Sequence, residues 1–116
     1  MTEAPAKILV VEDDKTISEL VGTILDKDAY KVTIASDGLD ALRLAREERP
    51  DLVLMDVLMP GLSGFEVCQR LRQDPSTCLI PIMLLTALDQ TKDKVTGFKL
   101  GADEYGMKNF VLVILK

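Results

Sequence analysis

A regular change of hydrophobic period constrains this chain more than any other feature. Short apolar runs rich in branched side chains alternate with segments whose apolar residues recur at helical spacing. Residues 7–12 (KILVVE) form a continuous run of the kind a strand buried on both faces requires. Ile17, Leu20, Val21, Ile24 and Leu25 then predict a helix over about 15–27. Residues 30–35 (YKVTIA) alternate as a strand does, and Asp37 is placed to cap a helix with Leu39, Leu42 and Ala45 on one face. Residues 51–56 (DLVLMD) predict a third strand, followed by the loop MPGLSG, where Pro60 stiffens the chain and Gly61 and Gly64 serve its geometry. Ser63 and Glu66 have capping-box spacing before a helix with Phe65, Cys68 and Leu71 inward. Residues 80–86 (IPIMLLT) predict a fourth strand, with Pro81 near its start. A weaker helix over about 90–100, with Val95 and Phe98 apolar, ends at Gly101. Residues 103–108 (DEYGMK) predict a short fifth strand. Strands alternating with helices in this way imply an α/β domain, one parallel sheet with helices on both faces.

Composition removes whole classes of chemistry. The 116 residues suit one domain, which we take as residues 1–116, with 1–6 a flexible leader and 109–116 an atypical tail. There is no histidine, which excludes a His-dependent triad, a His-ligated zinc site and a His general base within this chain. Cys68 and Cys78 form no CxxC and read as reduced thiols of a cytoplasmic protein. A net charge of −5 argues against direct nucleic-acid binding. Neither a secretory signal nor an apolar stretch near the ~18 residues of a membrane span is visible.

In parallel sheets ligands sit outside the carboxyl ends of the strands, and the polar residues fall there. Glu12, Asp13 and Asp14 close the first strand, Asp56 the third, Thr86 the fourth and Lys108 the fifth. Carboxylates converging on one edge repel unless a cation intervenes, and Mg²⁺ fits an all-oxygen set that leaves room for phosphate. Each residue also has a plain structural reading. Glu12, Asp13 and Asp14 read as a solvated turn with Asp14 capping the first helix, Asp56 as a turn residue, Thr86 as an ordinary strand residue and Lys108 as a solvated charge. Asp56 resists that reading best, because it ends a buried run where an unpartnered carboxylate is costly.

KILVVEDD (7–14), DLVLMDVLMPGLSGFEV (51–67), IPIMLLTA (80–87) and GADEYGMK (101–108), in that order, resemble the receiver domain of two-component response regulators. The resemblance implies a single doubly wound five-stranded parallel sheet of flavodoxin-like order 2-1-3-4-5. It implies phosphoryl transfer from a phosphohistidine of a sensor histidine kinase or phosphotransfer protein onto Asp56. Glu12, Asp13, Asp56 and the Leu58 carbonyl would hold Mg²⁺, with Asp13 the more direct ligand. Lys108 and the Thr86 hydroxyl would meet phosphoryl oxygens. Thr86 and Tyr105 would form the switch that alters the face of helix 4 and strand 5. The domain would catalyse its own phosphorylation and dephosphorylation without being a turnover enzyme. Tyr105 also reads as a half-buried strand-edge residue with no switching role.

The sequence departs from that family at its C-terminus. Lys108 is followed by Asn109 where the family has proline, so a trans bond is expected. Gly106 stands where a strand-forming aliphatic is favoured. NFVLVILK is too short for the family's fifth helix, which is therefore read as truncated or missing. An uncovered apolar face favours self-association through helix 4, strand 5 and the tail. These departures motivate an alternative, a receiver-like interaction module that is not phosphorylated. A Mg²⁺-dependent phosphohydrolase is a further alternative, though such enzymes carry their nucleophile in a DxD after the first strand, where this chain has EDD. The Arg72–Pro75 and Ile80-Pro81 stretches resemble those of receivers joined to sensor kinases or nucleotide cyclases.

Overall fold

A computed structural model describes residues 5–27, 30–86 and 104–107, with side chains described for all of these but 27, 86 and 104–107. In chain order the elements are β1 (Lys7–Val11), α1 (Lys15–Lys27), β2 (Lys31–Ala35), α2 (Gly38–Glu48), β3 (Leu52–Asp56), α3 (Gly64–Gln73), β4 (Ile82–Thr86) and β5 (Glu104–Met107). The strands make one sheet in the order β2-β1-β3-β4-β5. Every pairing is parallel. The expected α/β architecture and strand order are thus found. The predicted 90–100 helix, the Lys108-Asn109 bond, the missing fifth helix and the tail lie outside the described residues.

Side chains that alternate along a strand must face opposite sides of the sheet. Leu9 and Val11 of β1, Val53 and Met55 of β3, and Ile82 and Leu84 of β4 join one core with α2 and α3, whose Ala41, Leu42, Ala45, Val67, Cys68 and Leu71 pack there. The intervening Ile8, Val10, Leu54 and Leu85 join a second core with Val21 and Leu25 of α1. Helices on both faces explain why β1 and β3 read as unbroken apolar runs.

Two residues of the predicted apolar helix faces are exposed. Leu20 is 49% exposed and Leu39 68% exposed. The buried residues of α2 are Gly38, Ala41, Leu42, Leu44 and Ala45, and Leu39 lies roughly a third of a turn from the centre of that arc. Leu20 stands at the margin of the Ile17–Val21–Leu25 stripe for the same reason. The fourth strand starts at Ile82 rather than at residue 80. Ile80 belongs to a turn whose carbonyl accepts from Arg72 Nη1 at 2.7 Å, and Arg72 Nη1 also reaches the Cys78 carbonyl at 3.0 Å. Thr77, 1% exposed, donates its hydroxyl to the Leu71 carbonyl at 2.8 Å and satisfies an acceptor near the end of α3. Cys68 and Cys78 are both free thiols.

Candidate functional site

Register brings the acidic residues together. Val11 lies opposite Met55, so Glu12 and Asp56 leave adjacent strands side by side. Strand order reverses between β1 and β3, and a crevice opens there beyond the carboxyl ends. Asp14 caps α1, its Oδ1 accepting from the Thr16 N–H at 2.9 Å and the Ile17 N–H at 3.2 Å. That cap turns the chain sharply after β1 and keeps Asp13 beside Glu12.

On the other side of the crevice the loop 57–63 joins β3 to α3. The Val57 N–H continues the sheet onto the Leu85 carbonyl at 3.0 Å, and the Val57 carbonyl accepts from the Gly64 N–H at 2.9 Å. Ser63 caps α3, taking the Glu66 N–H at 3.3 Å, while its hydroxyl donates to Glu66 Oε1 at 3.4 Å. Gly61 has φ +77°, a conformation that glycine adopts without a Cβ penalty. Met59 is buried and pins the loop to the α2/α3 core, whereas the Leu58 side chain is 71% exposed.

One oxygen from each of Glu12, Asp13 and Asp56 falls within 4.8 Å of the others. Glu12 and Asp56 are both 5% exposed, and Asp13 is open to solvent. Glu12 Oε2 accepts the Asp14 N–H at 3.3 Å, and Asp56 Oδ1 accepts the Leu58 N–H at 3.3 Å. Charges this close repel by something on the order of 1–4 kcal/mol per pair, depending on how far solvent screens them. A hard divalent cation relieves that repulsion, and an all-carboxylate donor set with an exposed side suits Mg²⁺ that keeps part of its water. A cavity of about 350 Å³ borders Glu12 and Asp13, lined also by Lys15, Ser18, Glu19, Ile34 and Ser36.

Of the predicted site residues, Glu12, Asp13 and Asp56 are brought together, and Leu58 follows directly with its N–H on Asp56. Thr86 ends β4 and Tyr105 lies in β5, with Thr86 opposite Met107 and Tyr105 opposite Leu84. Their side chains, and Lys108 altogether, lie outside the described residues. Sequence reasoning missed the tight seating of Gly64. A Cβ there would meet the Asp56 carbonyl oxygen, the Val57 Cα at 2.9 Å and the Asp56 carbonyl carbon at 3.0 Å. The only available signal was a glycine at the start of a capped helix.

Comparison with known proteins decides the family. The family described as "Response regulator receiver domain" matches residues 8–115. This chain is a response-regulator receiver domain. It is 46% identical over 104 residues to the DNA-binding dual master transcriptional regulator RpaA of Synechocystis, covering 90% of this chain and 43% of that protein. It is 48% identical over 104 residues to the alkaline phosphatase synthesis transcriptional regulatory protein PhoP of Bacillus subtilis, covering 90% and 42%. The receiver domain thus spans less than half the length of these curated relatives. The crystal structure of a putative response regulator from Chloroflexus aurantiacus superposes with a TM-score of 0.89 at 38% identity, covering 96% of this chain and 91% of that one.

Receiver domains are phosphoacceptor signalling domains that take phosphoryl groups from histidine kinases and bind Mg²⁺ at an acidic pocket. Here the acidic cluster is Glu12, Asp13 and Asp56. The two relatives are transcriptional regulators by name. RpaA is DNA-binding by name, so the expectation of no nucleic-acid partner gains no support from these relatives. Among the described residues, no helix is long and apolar enough to cross a membrane.

Proposed function

We propose that Asp56 is the phosphoacceptor of this receiver domain, and that Glu12, Asp13, Asp56 and the Leu58 carbonyl would hold Mg²⁺ beside it. The observation that carries this reading is the meeting of three carboxylates within 4.8 Å at the point where strand order reverses. Bound there, the ion supplies positive charge against the carboxylates and the phosphoryl oxygens. Asp56 provides the nucleophile. One carboxylate oxygen attacks the phosphorus of a donor phosphohistidine, the new P–O bond forms, the P–N bond breaks, and the imidazole leaves with the electron pair and gains a proton. The donor histidine would belong to a sensor kinase or phosphotransfer protein, which is consistent with the lack of histidine in these 116 residues.

Burial of Asp56 and the Leu58 N–H on its Oδ1 orient the carboxylate, and orientation supplies much of the rate in such transfers. Lys108 and the Thr86 hydroxyl act on the phosphoryl oxygens, the strand register supporting this by ending β4 and β5 on the same edge as β3. Thr86 and Tyr105 are the switch pair, which changes the helix 4/strand 5 face and its self-association. Water attack on the aspartyl phosphate returns Asp56 and inorganic phosphate, so phosphorylation and dephosphorylation are both self-catalysed. We take residues 1–116 as one cytoplasmic receiver unit, making no nucleic-acid contact of its own.

Incubation with acetyl phosphate and Mg²⁺, read by intact-protein mass, tests the proposal. One phosphoryl adduct is expected on the wild type and on Thr86→Ala, and none on Asp56→Asn. An unmodified wild type would favour the receiver-like interaction module, and an adduct on Asp56→Asn would mean a different nucleophile.

A further inference from the structure

We propose that Gly64 and Gly38 are positioning residues for phosphoryl transfer, their missing side chains letting α3 and α2 seat the loop 57–63 against the end of β3. The inference rests on Asp56 being the acceptor. Val57 is held from two sides, its N–H on β4 and its carbonyl on the first residue of α3. That second bond exists only because Gly64 lies against the main chain of Asp56 and Val57. A methyl group at Gly64 would collide with backbone atoms of both residues, and backbone cannot rotate away as a flexible side chain can. Helix and strand end must then separate, and the Val57–Gly64 bond goes with them. The Leu58 N–H that orients Asp56 and the Leu58 carbonyl both ride on this segment.

Gly38 performs the same service from the opposite side of the loop. A Cβ there would lie 2.7 Å from Leu62 Cβ, 2.8 Å from Val67 Cγ2 and 3.2 Å from the Leu62 carbonyl oxygen. The first helical residue of α2 therefore abuts the last part of the loop and the inner face of α3. Here the obstacles are a Cβ fixed to the loop backbone and a methyl of a stiff branched side chain, so loop or helix must shift, but the acceptor's own backbone is not touched. The two glycines grade the effect: Gly64 touches the acceptor's own backbone, and Gly38 acts through Leu62.

The test compares Gly64→Ala, Gly38→Ala and Leu25→Ala with the wild type, at a temperature where circular dichroism shows each fully folded. Leu25 is a buried residue of α1 in the other core and serves as a destabilised control. Two readouts are taken: the rate of acetyl-phosphate labelling, and the Mg²⁺ affinity from amide chemical-shift titration. Gly64→Ala should label about ten- to a hundredfold more slowly, as a small misplacement of a reacting group does, and bind Mg²⁺ more weakly. Gly38→Ala should show the same changes to a smaller degree, and Leu25→Ala neither. If both glycine variants label and bind Mg²⁺ as Leu25→Ala does, the glycines are merely structural and the proposal falls. Should Gly64→Ala not fold, Gly38→Ala alone decides by the same criterion. Failure of the underlying reading would look different, as a wild type that takes no label or an Asp56→Asn variant that does.

Discussion

The two walls of the acidic crevice each begin with a sheet bond, Glu12 N–H to the Ala35 carbonyl and Val57 N–H to the Leu85 carbonyl, and differ in the turn that follows. On the β1 side, residues 12–14 make a tight turn held by side chains: Asp14 caps α1, and Glu12 accepts the Asp14 N–H. On the β3 side, the longer loop 57–63 is held by its main chain, through Val57 between Leu85 and Gly64, and by the close approach of Gly64. The first wall presents an exposed Asp13 with room to adjust to a cation, whereas the second presents a buried Asp56 whose backbone is clamped. An acceptor that must meet phosphorus in line gains from the rigid wall, and a ligand shared with water gains from the adaptable one.

The largest expected effect on ion binding separates neighbours on the adaptable wall. Asp13→Asn should weaken Mg²⁺ binding by about tenfold or more in the same chemical-shift titration, while Asp14→Asn, which retains a capping oxygen, should leave it within about twofold. Equal losses would break the division of labour between ligand and cap.

The largest effect on stability is expected at the support of the rigid wall. Leu71 of α3 is 1% exposed. Leu71→Ala should cost about 2–5 kcal/mol in urea unfolding. A smaller loss would mean that α3 is not firmly anchored beneath the loop.

Cap removal comes third. Asp14→Ala and Ser63→Ala should each cost about 1 kcal/mol. Asp14 should cost more, since it takes two N–H groups, at 2.9 and 3.2 Å, against one at 3.3 Å for Ser63. The reverse order would show that side chains matter more on the β3 wall than its geometry suggests.

The smallest effect is a pH dependence at the far end of α3. The Ser76 N–H and hydroxyl, and then Arg46, hold the Asp74 carboxyl below its ordinary value. A carboxyl lowered by folding adds stability that is present above its unfolded pKa and is lost as pH falls through its folded one. The urea midpoints of wild type and Asp74→Asn should therefore converge in acid and differ slightly near neutrality. A gap that persists unchanged into acid would remove Asp74 as its cause.

Much of this was legible in the residues. Unbroken apolar runs place β1, β3 and β4, since strands covered on both faces have no polar side to display. Asp14, Asp37 and Ser63 were visible as caps because a cap acts on residues two or three positions on. Leu20 and Leu39 misled because periodicity gives a helix its apolar arc but not the width of the neighbour that covers it. The start of β4 was set by the hold of Arg72 on the Cys78 and Ile80 carbonyls, a contact between a helix and the turn after it that no local pattern announces.

By itself the sequence determined the alternation of strands and helices, and hence that its acidic residues would gather at strand ends, because local periodicity and capping act over a few positions. Only the tertiary structure decided that Val11 stands against Met55, that Glu12 and Asp56 are buried while Asp13 is open, and that Gly64 has no room for a methyl group. Those are distances between segments remote in the chain, set by register and packing, and a one-dimensional pattern does not contain them.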